Sequence, residues 1–457
     1  MTLTAPTPTQ ATPQAAPVGP PSLRPTSTRP ASTRPTVTGS AGARPTNRTP
    51  ARLTATHTEV RHFVPKPSGD PDPAGHLSPA QIDALAAELD ALRDEVLATR
   101  GAADAAYIRR IIAVQRGLEA GSRLVLLFSK HRAAWVVGTA GLSVAKILEN
   151  MEIGHNVMHG QWDWMRDPAI HSSTWEWDNA APAAMWKHSH NEIHHTYTNV
   201  LGRDNDLGYG ILRVDEDQRW HPVYLAQPVW NVLNAVVFQY SIALYDLELG
   251  RYLARRGRHT DAERERFRSN ALGVARKTGR HVLRDYVLHP LVSALVSGSA
   301  RETATANLTA NLARNLWTNA VIICGHFPEG VATFSKASIE DETRGEWYLR
   351  QMLGSANISG GPALHLMSGN LSHQIEHHMF PDLPSNRYAQ IAPRVREIFA
   401  RYDLPYATGP MPVQLASVWV KVFRYALPNG AWDDLRAQPV PTLARGARWV
   451  RDRLRRR

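Results

Sequence analysis

The sequence has little cysteine and few long apolar runs. Cys324 is the only cysteine among 457 residues, which excludes intramolecular disulfides, cysteine-ligated iron–sulfur clusters and cysteine-rich zinc sites. One uncharged segment, Val223–Tyr245, reaches the roughly 20 residues that a bilayer-spanning helix needs. Mean hydropathy is −0.34, so hydropathy leaves two alternatives: a membrane protein, or a soluble α-helical enzyme with buried core helices.

Motifs that bind redox cofactors are also missing. The sequence contains no CxxCH for haem attachment, no HPGG of a fused cytochrome b5 and no GxGxxG of a flavin or nicotinamide site. A redox reaction catalysed by this chain would therefore take its electrons from an external donor. No zinc-finger spacing or other nucleic-acid-binding module is present, and we expect no nucleic-acid partner.

The two ends of the sequence differ in composition from the middle. Residues 1–75 hold 15 of the 32 prolines, and we predict that they are disordered. Seven arginines and one aspartate lie between Arg445 and Arg457. We assign 431–457 to a basic tail, which is either simply solvated or attracted to anionic lipid head groups.

Helical signals begin near Ser78. Ser78 and Gln81 match a capping box around a proline at the first helical position. Leu85, Leu89 and Leu92 follow at helical spacing, and a second stripe lies between Ala102 and Leu118. An all-α fold is therefore predicted.

Histidine is unusually frequent, with 20 copies, and eight of them form three clusters. The clusters contain His155 and His159; then His190, His194 and His195; and finally His373, His377 and His378. Histidines at i and i+4 on a helix lie about 6 Å apart and can converge on one metal. An adjacent histidine is turned by about 100° and can reach a second ion. The pattern predicts a site for two metal ions, and imidazole suits zinc, copper, iron and nickel.

Carboxylates close to the clusters are candidates for orienting the histidines. Metal-bound histidines usually donate their second N–H to a carboxylate or carbonyl. Glu152, Glu192 and Glu376 are adjacent to the clusters and are predicted to have this role. Asp204 and Asp206 are read equally well as a loop turn or as a functional pair.

A group of tryptophans accompanies the first two clusters. Five of the 13 tryptophans fall within 25 residues: Trp162, Trp164, Trp175, Trp177 and Trp186. They form either an aromatic belt at a membrane boundary or a packed cap over a site, and the sequence does not decide between these interpretations.

Four segments resemble the membrane-bound fatty acid desaturases, particularly the actinobacterial Δ9 stearoyl-CoA type. They are GHNVMHGQWDW, HNEIHHTYTN, CGHFP and SHQIEHHMFPDLPSNRY. The resemblance implies a desaturase domain over 76–430, about four transmembrane helices and a cytosolic helical cap that holds a di-iron site. It also implies a multi-pass protein of the cell membrane with its catalytic face in the cytoplasm.

The same resemblance implies a ligand set and a reaction. The ligands would be the histidines of the three clusters and His326, with His373 competing with Gln374 for the first position of the last cluster. Two iron ions and dioxygen would convert a saturated acyl-CoA or acyl-lipid into a cis-unsaturated product, with electrons from a ferredoxin or flavin reductase. Hydroxylation of fatty acids or alkanes is the alternative reaction. Metal binding or transport without redox chemistry is the alternative of another class.

Overall fold

The computed structural model describes residues 72–204, 206–255 and 257–437, all within the second of two units, Val60–Arg457. The predicted disorder of residues 1–75 and the basic tail at 431–457 therefore fall largely outside the described residues. The first half contains these α-helices: α1 Pro79–Ala98, α2 Ala102–Leu126, α3 Arg132–Leu148, α4 Asn156–Met158, α5 Ala183–Trp186, α6 His195–Tyr197, α7 Gln227–Val236, α8 Phe238–Asp246 and α9 Leu249–Ala254.

The second half is also helical. Its α-helices are α10 Asp261–Val282, α11 His289–Ser297, α12 Ala300–His326, α13 Arg344–Leu353, α14 Pro362–Met367, α15 Gln374–Met379, α16 Tyr388–Arg401, α17 Met411–Ala426 and α18 Ala431–Ala437. Two short strands, β1 Asn357–Ser359 and β2 Thr408–Pro410, pair in parallel. The prediction of a helical fold is confirmed.

Shorter helices of other types lie between these elements. Three are π-helices: Glu149–His155, Lys187–His194 and Leu283–Leu288. Six are 3₁₀-helices: Asp163–Met165, Leu207–Gly210, Pro222–Ala226, Lys336–Ile339, Leu371–His373 and Ser385–Arg387. A π-helix pairs residue i with i+5 and is common at functional sites.

Helix α1 begins as the sequence predicts. The backbone N–H of Ser78 donates to Oε1 of Gln81 at 2.9 Å, and the N–H of Gln81 donates back to the Ser78 hydroxyl at 3.4 Å. Leu85, Leu89 and Leu92 are buried on one face of α1. They join the main apolar core with residues of α13, α15 and α16, and this core supports the last histidine cluster.

The uncharged segment Val223–Tyr245 is not one helix. The 3₁₀-helix Pro222–Ala226, α7 and α8 divide it, and Val237 has non-helical backbone angles (φ −107°, ψ 25°) between the two α-helices. Among the described residues, no helix has both the length and the apolar character that crossing a bilayer requires.

A buried ion network joins α3, α12 and the third π-helix. It consists of Lys146, Asp178, Arg284 and Asp285. Lys146 Nζ lies 2.9 Å from one oxygen of Asp285, and Arg284 Nε lies 3.0 Å from the other. Arg284 also contacts Asp178 at 2.8 Å. Asn311 donates to Asp285 at 3.1 Å, so the buried charges are paired and hydrogen-bonded.

Candidate metal centre

Four separate stretches of the chain contribute to one buried group of histidines. His155 and His194 end the first two π-helices, His326 ends α12, and α15 carries the last pair. We call the following residues the histidine cluster: His155, His159, His190, His194, His195, His326, His377 and His378. A π-helix replaces the i+4 hydrogen bonds of an α-helix with i+5 bonds and is frequent at functional sites. Both of the first two histidine stretches contain such a helix.

One subgroup consists of His155, His159, His190 and His377. Each offers a ring nitrogen, and these nitrogens all lie within 4.8 Å of one another. The rings of His155 and His159 are 4.7 Å apart between centroids, so this i, i+4 pair converges as its spacing predicts. The set is suited to one metal ion with imidazole ligands.

A second subgroup consists of His194, His326 and His378, whose nitrogens meet the same 4.8 Å limit. The adjacent residues His377 and His378 thus fall into different subgroups, as expected for neighbours on a helix. The i, i+4 residues His190 and His194 are divided between these two subgroups, but they also form a third group with Asp206 that meets the same limit. Their rings stack with centroids 5.0 Å apart, so the pair lies on one side of its π-helical segment, as the spacing predicts.

His195 lies between the two subgroups. Its ring stacks on that of His378 with centroids 4.4 Å apart, and its centroid is 4.7 Å from that of His159. Both of its ring nitrogens are buried without a hydrogen-bond partner among the described residues. Its position fits a ligand that faces both subgroups.

Two aspartates fix the second histidine stretch. Nδ1 of His190 donates to Asp206 at 3.1 Å, and Nδ1 of His194 donates to Asp204 at 3.0 Å. Asp204 also accepts the backbone N–H groups of Asn199 and Asp206. The segment is therefore a loop turn whose two carboxylates contact histidines, and a functional role for the pair stays a prediction.

Neutral acceptors hold the remaining outer nitrogens. Nδ1 of His378 donates to Oε1 of Gln351 at 3.1 Å, and Nδ1 of His326 donates to a backbone carbonyl at 3.4 Å. Nδ1 of His377 donates to the Tyr388 hydroxyl at 3.3 Å, since that hydroxyl gives its own proton to the carbonyl of Phe380. With the proton on Nδ1, each Nε2 carries a free lone pair.

These lone pairs provide a test of whether a metal fits. Nε2 of His326 and Nε2 of His378 are 3.2 Å apart, although neither has a proton to share. Nε2 of His159 and Nε2 of His190 are buried with no partner in the described part of the chain. Buried polar atoms are normally hydrogen-bonded. A metal cation among the rings of each subgroup would give these four Nε2 atoms a partner. The donor set therefore fits metal binding.

The three glutamates predicted to orient the histidines do not do so. Glu152 accepts from Tyr107, Asn370 and Ser385, and Glu376 accepts from Asn357 and Tyr406. These carboxylates tie the supporting helices together instead. Each glutamate lies within three residues of a cluster histidine but contacts other groups, so sequence proximity was misleading.

The third glutamate makes a surface contact. Glu192 accepts from His188 at 2.6 Å, and His188 is 66% exposed. His188 therefore faces solvent, in agreement with its position outside the second cluster pattern.

His373 also departs from its predicted place. Its ring stacks on that of His365 with centroids 4.6 Å apart, and it belongs to neither subgroup among the described residues. Residue 373 ends a 3₁₀-helix before α15, which turns its side chain away from those of His377 and His378. Gln374 lies closer to the cluster: its amide nitrogen is 2.9 Å from Nε2 of His326, and its amide oxygen is buried without a partner in the described part of the chain.

Burial keeps most of the cluster neutral. It lowers the pKa of His155 to about 3, and it lowers the pKa of His190 and His195 well below the usual value of histidine. Burial acts in the same direction on His194, but the charges of Asp204 and Asp206 outweigh it and raise the pKa of His194. Neutral imidazoles are the form that binds metal.

Two tryptophans cover one side of the cluster. The ring of Trp186 stacks on His190 with centroids 4.4 Å apart and meets His155 edge-on at 5.1 Å. Trp177 packs on Trp186 at 5.2 Å, and both are 6% exposed. For these two residues the packed-cap interpretation describes the structure.

A cavity lies beside the histidines. His190 and His194 contribute to its lining, and so do Phe238, Ile242 and Ile322, which we call the apolar wall. A cavity that combines apolar side chains with convergent polar groups is typical of a small-molecule site. Histidine spacing did not point to the apolar wall, because Phe238 and Ile242 lie on α8, which carries no histidine.

The family model described as "Fatty acid desaturase" matches residues 133–410. The chain is 53% identical over 361 residues to the NADPH-dependent stearoyl-CoA 9-desaturase of Mycobacterium tuberculosis, covering 79% of this chain and 83% of that relative. It is 23% identical over 282 residues to the sn-1 linoleoyl-lipid 6-desaturase of Synechocystis, covering 60% and 76% of the two chains. It is 26% identical over 229 residues to the acyl-lipid (7-3)-desaturase of Rebecca salina, covering 50% and 49%.

Proposed function

Because the chain belongs to the fatty acid desaturase family, whose members are oxidoreductases acting on fatty acyl chains, we propose that it inserts a cis double bond at position 9 of a saturated acyl-CoA. The relative that is 53% identical carries stearoyl-CoA and position 9 in its name. The relatives named for acyl-lipid substrates are 23% and 26% identical, so acyl-CoA is the better-supported carrier.

The cavity is the observation that carries this proposal. A saturated chain lying along Phe238, Ile242 and Ile322 would pass its methylene groups in front of His190 and His194. An unactivated C–H bond offers no acidic proton or electrophilic carbon, so the oxidising power must come from a metal centre. The protein positions the acyl chain and excludes water from the site.

Two iron ions are the proposed cofactor. One would be held by His155, His159, His190 and His377, and the other by His194, His326 and His378. His195 would face both, and Gln374 is proposed as a further donor in place of His373. When bound, the iron pair supplies the activation of dioxygen that cleavage of two C–H bonds requires.

The residues of this chain have three tasks in the reaction. Asp204 and Asp206 hold the rings of His194 and His190 with Nε2 facing inward. Trp186 covers the rings and excludes water on that side. The apolar wall holds the acyl chain in one register. Two electrons, two protons and the two hydrogens removed from the substrate reduce one dioxygen to two waters, and an external redox protein supplies the electrons.

Contact with a lipid bilayer is proposed from the exposed side chains of four helices. Trp230 and Leu233 of α7, Leu291 and Leu295 of α11 and Leu308 of α12 are between 39% and 80% exposed, and Phe423 of α17 is 48% exposed. Monomeric soluble proteins rarely expose contiguous apolar patches of this kind. We propose that these helices enter the membrane of the cell and that the histidine cluster lies at its cytoplasmic side.

Expression in a desaturase-deficient host tests the proposal. Gas chromatography with mass spectrometry should show a Δ9 cis-monounsaturated acid, with two hydrogens fewer than its precursor. The variant His194→Ala should abolish the product, whereas the exposed control His188→Ala should retain it. A product with one added oxygen would instead establish a hydroxylase. Unchanged fatty acids with the purified protein still binding metal would favour metal storage or transport.

A further inference from the structure

Much of the positive charge of the chain is concentrated in one stretch. Between Arg251 and Arg284 there are eleven Arg or Lys and three Asp or Glu, a formal charge of +8 in a chain of +11. This stretch forms the end of α9, the following turn and α10. We call the outer side of α10 the basic surface, defined by Arg266, Arg268, Arg276 and Arg280.

The arginines of the basic surface project into solvent. All four are exposed, and none has an acidic group within 4.0 Å among the described residues. Their charges are therefore not consumed by intramolecular ion pairs, in contrast to Arg264, which pairs with Asp261. A field of unpaired charges of one sign attracts an oppositely charged partner and speeds its association.

The inner side of α10 holds the loop that carries Trp177. Lys277 Nζ donates to the carbonyls of Trp177 at 2.9 Å and of Ala181 at 3.0 Å. Val274 packs against the apolar group that contains Trp177 and Trp186. The helix that presents the basic surface thus directly supports the tryptophan cap.

A short aromatic route leads from this helix to the histidine cluster. Trp177 contacts Trp186 with ring centroids 5.2 Å apart, and Trp186 stacks on His190 at 4.4 Å. Both tryptophans are buried. The basic surface and the proposed metal ligands are therefore connected by two aromatic side chains in continuous contact.

We propose that the basic surface docks a small acidic electron-transfer protein and that its electrons tunnel to the metal site through the contact of Trp177 with Trp186, neither of which is itself reduced. This inference rests on the proposed function, whose reaction needs two electrons per double bond. Each docked donor is oxidised by one electron, so two dockings serve one turnover. Anionic lipid or the phosphates of a nucleotide could also meet arginines, but neither would require the aromatic contact with His190, and the redox partner accounts for both features.

Binding of an acidic plant-type [2Fe–2S] ferredoxin to the full chain tests the docking surface. Surface plasmon resonance should show binding that weakens with salt. The triple variant Arg268→Glu, Arg276→Glu, Arg280→Glu should weaken it by about 10- to 1000-fold at low ionic strength. A charge-matched control at exposed arginines of other segments, Arg110→Glu, Arg219→Glu, Arg301→Glu, should change it much less. Absence of ferredoxin binding, or equal weakening in both variants, would refute the proposed surface.

Two further measurements distinguish a redox partner from the other possible ligands of the basic surface, which are anionic lipid and the phosphates of the substrate. Flotation with vesicles containing anionic phospholipid, and the KM for stearoyl-CoA, should be the same in the triple variant and in the unmodified protein. If the triple variant instead loses vesicle binding, the surface contacts lipid. If its KM for stearoyl-CoA rises while ferredoxin affinity is retained, the surface binds the phosphates of the substrate. Either result overturns the redox-partner proposal.

The aromatic route is tested with two reductants. Trp177→Leu should slow desaturation driven by ferredoxin with NADPH and its reductase by a larger factor than desaturation driven by dithionite, because the small reductant does not need the route. Trp177→Phe should restore part of the ferredoxin-driven rate. Equal losses with both reductants would mean that Trp177 has only a structural role. If neither reductant supports desaturation by the unmodified, iron-loaded protein, the proposed function itself fails.

Discussion

The histidine cluster and the buried ion network are both polar groups in the interior, but their internal contacts differ. In the network, Lys146 and Arg284 each lie within 3.0 Å of Asp285. In the cluster, His159, His190 and His195 have buried nitrogens without a partner among the described residues. The charges of the network are paired within the protein, whereas the cluster has nitrogen lone pairs that are available to a ligand.

This difference separates stability from function. Removing one member of a complete buried pair strands the other charge, which is costly for folding. Removing a side chain whose nitrogen has no protein partner loses no hydrogen bond, so its cost should appear in metal binding instead. The following variants examine the two regions in turn.

The largest effect is expected for His159→Leu. Activity and iron content should fall by more than the roughly 10- to 100-fold that loss of an outer partner causes, since a proposed ligand is removed. The thermal midpoint of the metal-depleted protein should stay the same or rise, because Nε2 of His159 is unpartnered. Elemental analysis and calorimetry check this; a marked loss of stability without loss of iron would contradict it.

Asp285→Ala should act on stability. It leaves the buried Lys146 without its nearest carboxylate, and we expect a loss of about 3–5 kcal/mol in the free energy of unfolding. Denaturant titration in detergent measures this loss. The double variant Lys146→Met, Asp285→Leu should recover much of it, because no lysine charge is then stranded. Iron binding per folded molecule should remain normal in both variants.

Asp204→Asn should have an intermediate effect. It removes the negative charge that holds Nδ1 of His194, and iron affinity should fall by about 10- to 100-fold. Titration of the metal-depleted protein with Fe²⁺ under anaerobic conditions gives the affinity. Glu192→Gln is the matched control, since the partner of Glu192 in the described part of the chain is the exposed His188. Equal affinities in the two variants would refute the orienting role of Asp204.

His373→Ala should have the smallest effect. Its ring stacks on His365 outside both subgroups, so iron affinity should change by no more than about twofold, as for substitutions away from a site. Gln374→Ala, one residue further, should lower the affinity clearly. The same Fe²⁺ titration compares them, and the opposite ranking would return His373 to the ligand set.

Sequence spacing predicted part of this site. The i, i+4 argument found the convergence of His155 and His159, and the adjacency argument found the separation of His377 and His378. The spacing argument also predicts the close approach of His190 and His194, whose rings stack. It could not predict their division between two subgroups, because the other ligands of each subgroup come from other stretches of the chain. His326 stands alone in the sequence, and only the resemblance suggested it.

The supporting parts of the site depended on tertiary structure. Asp204 reaches His194 because the chain turns back after Asn199, so a carboxylate ten residues away is closer than Glu192. The apolar wall from Phe238 and Ile322 comes from helices far apart in sequence. The periodicity of apolar residues predicted the helices. It did not predict that the uncharged segment Val223–Tyr245 is divided into separate helices at Val237.

The π-helices that carry His155 and His194 make the site sensitive to chain length. Deleting a single residue from either segment would return it to i+4 pairing and rotate everything after it by about 100°. The ring that had faced its neighbours would then point about 100° away from them, although every histidine would still be present. Insertions or deletions here would therefore be tolerated far less than substitutions of the surrounding apolar residues.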